Sequence, residues 1–419
     1  MRSAVKALGA LAVVALAASG CGGGGTNTPG TNQEKTVIIG VDLPFTGSSK
    51  DASDDTWNAM VLYMEQIGGK IGNYKIELKK YDNATAAKGA WDEGKCTENA
   101  NAHVSNANEV AVMGTYNSGC AKLEAPVVNQ APDGPMLMVS HANTNPGLTK
   151  TWDPGEPDKY FPSGKRSYAR VVTTDDIQGP AAAQFAKTDL GVRKCFVLND
   201  TETYGQGVAK SFAEEAKKQG VEVIETSWKK GDGRYTALFG QAKAQNVDCV
   251  FFGGIYDNNG GQLTKDKVAV LGDNTKVKLL APDGFTGYPD FLALNESEGA
   301  YLTFAGLSTD PLRAAGGKPA EFLDAYKAKY GSDPRTSYAL YGVQALQVIL
   351  AAIEKSDGTR KGVRDQVFEG AGVTIPAGSA ILGKEIKIDP ASGDVSAKDI
   401  SVELVKDHKE TFHKAWPVS

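Results

Sequence analysis

The chain has 419 residues, of which 41% are hydrophobic, and a formal net charge of −5 at pH 7. That length fits two domains, because most domains run to about 100–200 residues. The slight negative charge excludes the basic footprint that nucleic-acid-binding proteins carry. We therefore expect a soluble globular protein of two domains with no nucleic-acid partner.

The first 20 residues have the pattern of an export signal. Arg2 and Lys6 form a short positive region, the apolar run ALGALAVVALAA follows, and ASGC places small residues before Cys21. This order predicts a signal peptide over 1–20, cleaved just before the cysteine, since the apolar run is too short for a membrane span of about 20 residues. Residues 21–35 then form a flexible tether, because GGGGTNTPGTNQ cannot bury a core.

From Thr36 onward, short apolar strands alternate with amphipathic helices. In chain order the predicted strands are TVIIGVDL, KIELKKYD, VAVMGTY, PMLMVS, CFVLND, VEVIETSW, VDCVFFGG and VKLLAPDG. The predicted helices are SDDTWNAMVLYMEQIGG, GQGVAKSFAEEAKKQG, YTALFGQAKAQN, PAEFLDAYKAKYG and SYALYGVQALQVILAAIEKS. This alternation is typical of βαβ units, and so many units favour two α/β lobes, each with a mostly parallel sheet. EIKID and DISVELVKD predict a final hairpin.

The segments that follow the predicted strands are the candidate site, because open parallel sheets bind ligands beyond the carboxyl ends of their strands. Six of them are small and polar: PFTGSS, TYNSGC, SHANTNPG, NDTETYGQG, IYDNNGG and PDGFTG. They offer hydroxyls, amides, aromatic rings and few charges, namely Thr46, Tyr116, Asn117, Ser118, Asn143, Thr144, Tyr204, Tyr256, Asp257, Asn258, Asp283 and Phe285. Such a set can hold a small polar ligand. His141 either touches that ligand or is a hydrogen-bonded structural histidine.

No catalytic set accompanies these loops. The chain has no G-x-S-x-G elbow, no G-x-x-x-x-G-K-[ST] loop and no H-E-x-x-H motif. His408 and His413 lie five residues apart in a charged tail, a spacing that does not place both on one helix face. The sequence therefore predicts a protein that is not an enzyme and that needs neither a metal nor a cofactor.

Four further cysteines follow Cys21, and an even number in an exported chain suggests disulfides. A bond between Cys96 and Cys120 would close a short local loop. Cys195 and Cys249 each open an apolar strand, so they pair if these strands are neighbours in one sheet. Otherwise they are two buried free thiols.

The loop motifs resemble those of one known family. They are GTYNSGCAKLEAPV, MVSHANTNPGLT, TTDDIQGPAAAQF, NDTETYGQGVAKSF, FFGGIYDNNGGQL and APDGF. In order and spacing they resemble the substrate-binding proteins of ABC transporters of the branched-chain amino-acid class, which have the two-lobed type I periplasmic-binding-protein fold. The resemblance implies a ligand cleft between two lobes that close like a hinge. Lobe I is expected over 36–170 and 285–383, and lobe II over 171–284 and 384–416.

The resemblance also implies ligand contacts. Ser118 and Thr144 are expected to bind a solute carboxylate through their hydroxyls, helped by the backbone at Ala142, and Tyr204 is expected to close over the solute. In amino-acid binders of this family, an acidic residue in the FFGG loop holds the α-ammonium. The best-aligned residue here is Asn258, with Asp257 beside it. An amino acid fits if Asp257 points inward, whereas a carboxylic acid or an amide fits if Asn258 stands alone.

The resemblances also imply two covalent features. Cys96–Cys120 resembles a first-lobe disulfide of the family. ASGC resembles the lipobox of bacterial lipoproteins, which implies that Cys21 is lipidated and anchors the protein at the extracytoplasmic face of the cell membrane. The alternative is a plain secretory signal with an unmodified Cys21.

These implications define the expected function. The chain is expected to be a monomeric receptor that captures a small polar solute, an amino acid or a related carboxylate or amide. It would deliver this solute to the permease and ATPase subunits of an ABC importer. The alternative is a sensing module that reports the same ligand to a signalling partner.

Overall fold

The structure is a computed structural model that describes residues 35–418. The expected signal peptide, Cys21 and the tether up to residue 34 lie outside the described residues. The strands are β1 (Lys35–Leu43), β2 (Lys70–Ile71), β3 (Tyr74–Asp82), β4 (Ala84–Thr85), β5 (Ala90–Trp91), β6 (Glu109–Gly114), β7 (Leu137–Ser140), β8 (Tyr168–Arg170), β9 (Lys194–Asn199), β10 (Glu222–Ser227), β11 (Cys249–Gly253), β12 (Lys278–Ala281), β13 (Tyr301–Phe304), β14 (Thr374–Ile375), β15 (Ile386–Lys387), β16 (Ile400–Lys406) and β17 (Lys409–Trp416).

Twelve α-helices lie within the described residues. They are α1 (Lys50–Gln66), α2 (Glu93–Ser105), α3 (Ser118–Val128), α4 (Asp175–Thr188), α5 (Thr203–Lys218), α6 (Thr236–Ala244), α7 (Gly260–Leu271), α8 (Pro289–Leu292), α9 (Thr309–Ala314), α10 (Gly317–Tyr330), α11 (Tyr338–Lys355) and α12 (Arg360–Phe368). Between residues 35 and 418, none of them combines the length and the apolar character that crossing a membrane requires.

The first sheet is the frame of lobe I. Its strand order is β2-β3-β1-β6-β7-β8, and every pair except β2 with β3 is parallel. Alternate residues of a strand point to opposite faces. Met113 and Val139 accordingly pack in the core that holds α1 and α11, whereas Val112 and Met138 pack near Ala125 of α3. Helices cover both faces, which explains why these strands are apolar throughout.

The second sheet is the frame of lobe II. Its order is β10-β9-β11-β12-β13-β16-β17, parallel as far as β13 and antiparallel beyond it. Phe251 stacks on Phe212 of α5 at a centroid distance of 4.0 Å, while Phe252 faces the opposite core. The two-lobed α/β architecture predicted from the sequence is confirmed.

Strand pairing differs from the expected lobe boundaries in two places. β13 pairs with β12 and β16 in the second sheet, although residues 285–383 were expected in lobe I. β15 pairs with β14, and Ile386 is buried in the core of lobe I, although 384–416 was expected in lobe II. The final hairpin therefore joins β16 to β17, and EIKID is not its first strand. We propose that the chain crosses between lobes after Phe304 and after Val395.

The crossover segments lie side by side. The backbone N–H of Thr173 donates to Ala305 O at 3.0 Å, and the Thr173 hydroxyl donates to Asp399 O at 2.9 Å. All three residues stand between the two sheets along the chain. We propose that these are the positions at which a hinge motion of the lobes would be absorbed.

Each lobe contains one disulfide. Cys96–Cys120 joins α2 to α3 in lobe I, and Cys195–Cys249 joins β9 to β11 in lobe II. The second bond is possible because Cys195 and Cys249 are register partners on adjacent parallel strands. The alternative of two free thiols is therefore wrong.

Candidate functional site

A small, partly open cavity lies where segments from both lobes meet. Its empty space is about 290 Å³, part of which is open to solvent. Its walls are made by the segments that follow β6, β7, β11 and β12, together with the first turns of α3, α5 and α11. The lining residues are Tyr116, Asn117, Ser118, Ala142, Tyr204, Ile255, Asp283, Gly284 and Tyr338. Five of the residues predicted from the sequence, namely Tyr116, Asn117, Ser118, Ala142 and Tyr204, are therefore brought together here.

Direct hydrogen bonds between the lobes hold this cavity closed. Trp91 Nε1 in lobe I donates to Glu202 Oε2 in lobe II at 2.9 Å. Asn145 Nδ2, from the loop after β7, donates to Thr203 O at the start of α5 at 3.1 Å. Each bond pairs one lobe with the other, so the lobes are in direct contact next to the cavity.

The lobe I wall is built around the beginning of α3. Asn117 is the N-cap residue, but its side chain makes no capping hydrogen bond, and Ser118 begins the helix. The N–H groups in the first turn of a helix have no partner within the helix, and the helix dipole favours negative charge there. Together with the Ser118 hydroxyl, this wall can accommodate an anionic group of a ligand.

The Ser140 hydroxyl is one of the groups that position the loop after β7. Ser140 Oγ donates to Thr115 O and accepts hydrogen bonds from the backbone N–H groups of Ala142 and Asn143, at 3.1 and 2.9 Å. The Ala142 N–H is therefore already used, which differs from the expected contact with a solute carboxylate. Ala142 still lines the cavity.

The lobe II wall carries a buried carboxyl group, Asp283. Tyr204 OH donates to Asp283 Oδ1 at 2.7 Å, and Tyr338 OH and Gln178 Nε2 donate to the same carboxyl group. Burial raises the pKa of Asp283, although these three hydrogen bonds act in the opposite direction. The ring of Tyr204 approaches because position 284 is glycine, where a Cβ would come within 2.8 Å of Tyr204 Cε1.

A second carboxyl group, Asp257, bridges the lobes. Ser49 Oγ of lobe I lies 3.0 Å from both Asp257 oxygens, and Tyr288 OH donates to Asp257 Oδ2 at 2.7 Å. Burial raises the pKa of Asp257. Asp257 is therefore buried in the contact between the lobes and does not line the cavity, whereas Asn258 donates its amide to Asp200 and to Glu202.

Several buried side chains around the cavity have polar atoms without a hydrogen-bond partner. These atoms are Tyr116 OH, Asn117 Oδ1, both ring nitrogens of His141, Thr144 Oγ1, Asp175 Oδ2 and Gln178 Oε1. Folded proteins rarely leave buried polar atoms unpaired. Such a concentration around one cavity is typical of a site whose hydrogen bonds are completed by a ligand.

Seven of the candidate residues do not line the cavity, namely Thr46, Asn143, Thr144, Tyr256, Asp257, Asn258 and Phe285. Asn143 Nδ2 donates to Tyr116 O, Asn258 holds the buried carboxyl of Asp200, and Phe285 packs against Phe252 in the core of lobe II. Thr144 is fully buried beside the cavity and does not line it. His141 is also fully buried, with its ring between those of Tyr116 and Tyr338, and burial lowers the pKa of His141 to about 3.

Two groups of metal-ligand type occur in the described part of lobe I, but their donors are already used. Cys96 and Cys120, beside Glu124, form a disulfide. His103, between Asp42 and Glu124, has a hydrogen bond on each ring nitrogen, to Asp42 Oδ2 and to a second carboxylate. We assign no metal to either group.

Comparison with known proteins identifies the family. A profile described as periplasmic binding protein matches residues 36–388. The chain belongs to the periplasmic binding protein family. It is 26% identical to an amino acid binding protein of Pseudomonas aeruginosa over 90% of this chain and 92% of that protein. It is also 26% identical to the Leu/Ile/Val-binding protein BraC3 of Rhizobium johnstonii, over 87% and 90% of the two chains.

Solved structures share the fold of this periplasmic binding protein. A leucine binding protein, LivK, from Thermotoga maritima aligns with a TM-score of 0.73 and 23% identity, over 91% of this chain and 98% of that one. A solute binding protein from R. palustris in complex with benzoate has the same TM-score with 17% identity, over 91% and 97%. These likenesses establish the architecture, and the related proteins are solute binders, not enzymes.

Sequence reasoning missed three lining residues of this periplasmic binding protein. Ile255 and Gly284 stand in candidate loops but were not singled out, and Tyr338 begins α11, which was predicted only as a helix. Asp283 was noted only as one of the few loop charges. The sequence feature that could have identified Asp283 is its position two residues after the apolar strand β12, since the segments that follow the strands line the cavity.

Proposed function

We propose that this protein is the extracytoplasmic receptor of an ABC importer and that its solute is an amino acid, bound in the interlobe cavity. The observation that supports this proposal is that the two lobes place groups of opposite chemistry on either side of one cavity. The N-terminus of α3, with Ser118, faces a cavity that is also lined by the buried carboxyl group of Asp283.

The α-carboxylate of the amino acid is assigned to lobe I. It would accept hydrogen bonds from the Ser118 hydroxyl and from first-turn N–H groups of α3, where the helix dipole favours an anion. Thr144 completes this end through its hydroxyl, which has no partner and is fully buried. Hydrogen bonds to a charged group contribute about 1.5–3 kcal/mol each.

The α-ammonium is assigned to Asp283 of lobe II. A carboxylate has about four acceptor positions, so the hydrogen bonds from Tyr204, Tyr338 and Gln178 leave room for one more donor. A buried carboxylate without a cationic partner is costly, whereas an ammonium beside it offsets that cost. The ring of Tyr204, which lines the cavity, would then cover the solute.

Closure would couple capture to delivery. The solute bridges lobe I through its carboxylate and lobe II through its ammonium, so binding stabilises the closed form that the permease would recognise. We also propose that the protein is exported, lipidated at Cys21 and monomeric.

The test is a screen of the purified mature protein by thermal shift and calorimetry. Free amino acids, benzoate and simple carboxamides are compared at equal concentrations, and a hit stabilises by RT ln(1 + [L]/Kd), about 2.7 kcal/mol at a hundredfold excess over Kd. We expect at least one amino acid to stabilise the protein and Asp283→Asn to weaken its binding about a hundredfold.

Asp290→Asn is the matched control, because Asp290 is exposed on α8, in the same lobe. It should bind like the wild type. If benzoate or an amide stabilises the protein and no amino acid does, or if Asp283→Asn binds normally, the proposed function is wrong.

A further inference from the structure

A second pocket lies beside the segment that leaves β13, which we place at the crossover between the lobes. Its empty space is about 640 Å³, part of which is open to solvent. None of its lining residues lines the solute cavity, so it is a separate candidate site. We call it the crossover pocket, and the lining residues that matter below are Phe304, Ser308, Asp310, Pro334, Glu403 and Glu410.

Three carboxyl groups of the crossover pocket have no cationic partner. They belong to Asp310, Glu403 and Glu410, and none of them takes part in an ion pair within residues 35–418. Burial raises the pKa of Glu403 to about 7 and that of Glu410 to about 8. The neighbouring charges act in the same direction, since the charge of Asp310 raises the pKa of Glu403 and the charge of Glu403 raises that of Glu410. A cation in the pocket would offset these like charges.

Two arginines also line the crossover pocket, but other acids hold them. Arg313 pairs with Asp324 and Asp333. Arg335 pairs with two aspartates of α1, both at 2.8 Å. Each guanidinium is thus shared between two carboxylates, and neither compensates the three acids of the pocket.

Two buried atoms at the crossover pocket have no hydrogen-bond partner. They are Ser308 Oγ and Glu403 Oε1, on residues with exposures of 5 and 4%. Ser308 lies close enough to Glu403 to act on its pKa, so the two atoms belong to one corner of the pocket. A carboxylate oxygen accepts hydrogen bonds, and a hydroxyl oxygen can accept them as well. Because folded proteins rarely leave such atoms unpaired, this corner points to a ligand that donates hydrogen bonds.

The crossover pocket lacks the convergence of ligands that a metal ion requires. In the described part of the chain, the two groups of metal-ligand type have ligand atoms within 4.8 Å of one another, and neither group includes an acid of this pocket. More widely spaced acceptors suit an organic cation, because an ammonium donates up to three hydrogen bonds in different directions. Phe304 and Pro334 give apolar surface for the carbon chain of such a ligand.

We propose that the crossover pocket binds a small organic ammonium ion, with its ammonium group between Glu403, Glu410 and the Ser308 hydroxyl. Glu403 and Glu410 belong to the hairpin of lobe II, whereas Ser308 belongs to the segment that leaves this lobe. The ion would therefore connect the two and favour one arrangement of the lobes. In this way it would change the affinity for the solute from a separate site.

Calorimetry and thermal shift test the site on the mature protein without solute at pH 8. The probe is n-butylammonium chloride, and the control is tetramethylammonium chloride at equal concentration, since this cation has no N–H donor. We expect n-butylammonium to bind and to raise the melting temperature, and tetramethylammonium to do neither. Equal effects of the two salts, or no binding of n-butylammonium, would overturn the proposal. Because no solute is present, this outcome leaves the proposed function untouched.

Variants then locate the ammonium group. Glu403→Gln removes the charge and keeps the shape of the side chain, and we expect it to weaken n-butylammonium binding at least tenfold. Ser308→Ala provides a second test if Glu403→Gln does not fold, and it should weaken binding at least threefold. Asp290→Asn, at an exposed position of lobe II, should bind like the wild type. Circular dichroism checks folding, and unchanged binding in the folded pocket variants overturns the assignment.

A last measurement tests the coupling between the two sites. The affinity for the solute is measured with and without n-butylammonium, in the wild type and in Glu403→Gln. We expect the amine to change this affinity in the wild type alone. The solute should then change the affinity for the amine by the same factor, because coupling between two binding sites is reciprocal. An equal solute affinity with and without the amine would overturn the regulatory role.

Discussion

The two walls of the cavity have opposite chemistry. Lobe I contributes a helix N-terminus and the Ser118 hydroxyl, whereas lobe II contributes the carboxyl group of Asp283. One wall offers donors to an anion, and the other offers acceptors to a cation. A solute with both charges would therefore have a single orientation, and neither lobe alone could hold both of its ends. The difference explains how binding and closure would be coupled.

The largest expected effect is a loss of unfolding free energy when the disulfide of either lobe is removed. Replacing Cys96 and Cys120 by serine should lower the free energy of unfolding by about 3 kcal/mol, and replacing Cys195 and Cys249 by about 4 kcal/mol. The second loss is larger because that bond joins residues 54 apart along the chain rather than 24. Calorimetric melting of the oxidised wild type and of both double variants measures this. A smaller loss for the lobe II pair would contradict the ranking.

The next effect is confined to lobe I and depends on pH. Burial lowers the pKa of His103, but hydrogen bonds to Asp42 and Glu109 outweigh it and raise the pKa to about 9. A folded pKa above the unfolded value of about 6.5 means that this stabilisation is complete below pH 6.5. It is lost as pH rises through 9 and amounts to about 3 kcal/mol.

Unfolding at a series of pH values from 6 to 10 measures this loss. His103→Gln should flatten the profile over that range, while His408→Asn, at an exposed position, should reproduce the wild-type curve. A profile that is equally steep in His103→Gln would assign the pH dependence to other groups.

A smaller effect tests the anionic end of the site. Ser118→Ala should weaken binding of the identified solute about tenfold, because one hydroxyl donor to a charged group is lost. Thr144→Ala should weaken it less, since Thr144 is buried beside the cavity but does not line it. Calorimetry on both variants gives the two ratios, with circular dichroism as the check of folding. Normal binding in both would mean that the carboxylate lies elsewhere.

The smallest effect concerns the contact between the lobes. Ser49→Ala removes the lobe I hydroxyl that contacts Asp257 and should weaken solute binding about threefold, because closure loses one hydrogen bond. Ser48→Ala is the matched control, since Ser48 is the adjacent residue and is exposed. Equal affinities of the two variants would show that this contact contributes nothing to closure.

Much of the architecture was predictable from local pattern. Alternating strands and helices predicted two parallel sheets, because βαβ units leave few other solutions. Cys195 and Cys249 were recognisable as a possible pair, since each opens an apolar strand, yet only strand order made them neighbours. The pairing of β13 and β15 differs from the expected boundaries, because the sequence of a short strand does not indicate which sheet it joins.

The candidate site was also predictable only in part. The sequence by itself determined that small polar segments follow the strands, and it singled out Tyr116, Ser118 and Tyr204, which do line the cavity. Only the tertiary structure decided which carboxyl groups face that cavity. Asp283, which does, follows an apolar strand as several other acids do, and its burial beside tyrosine hydroxyls depends on how the two lobes meet. A loop pattern specifies which groups a segment offers, whereas their direction is set by contacts between residues far apart in the chain.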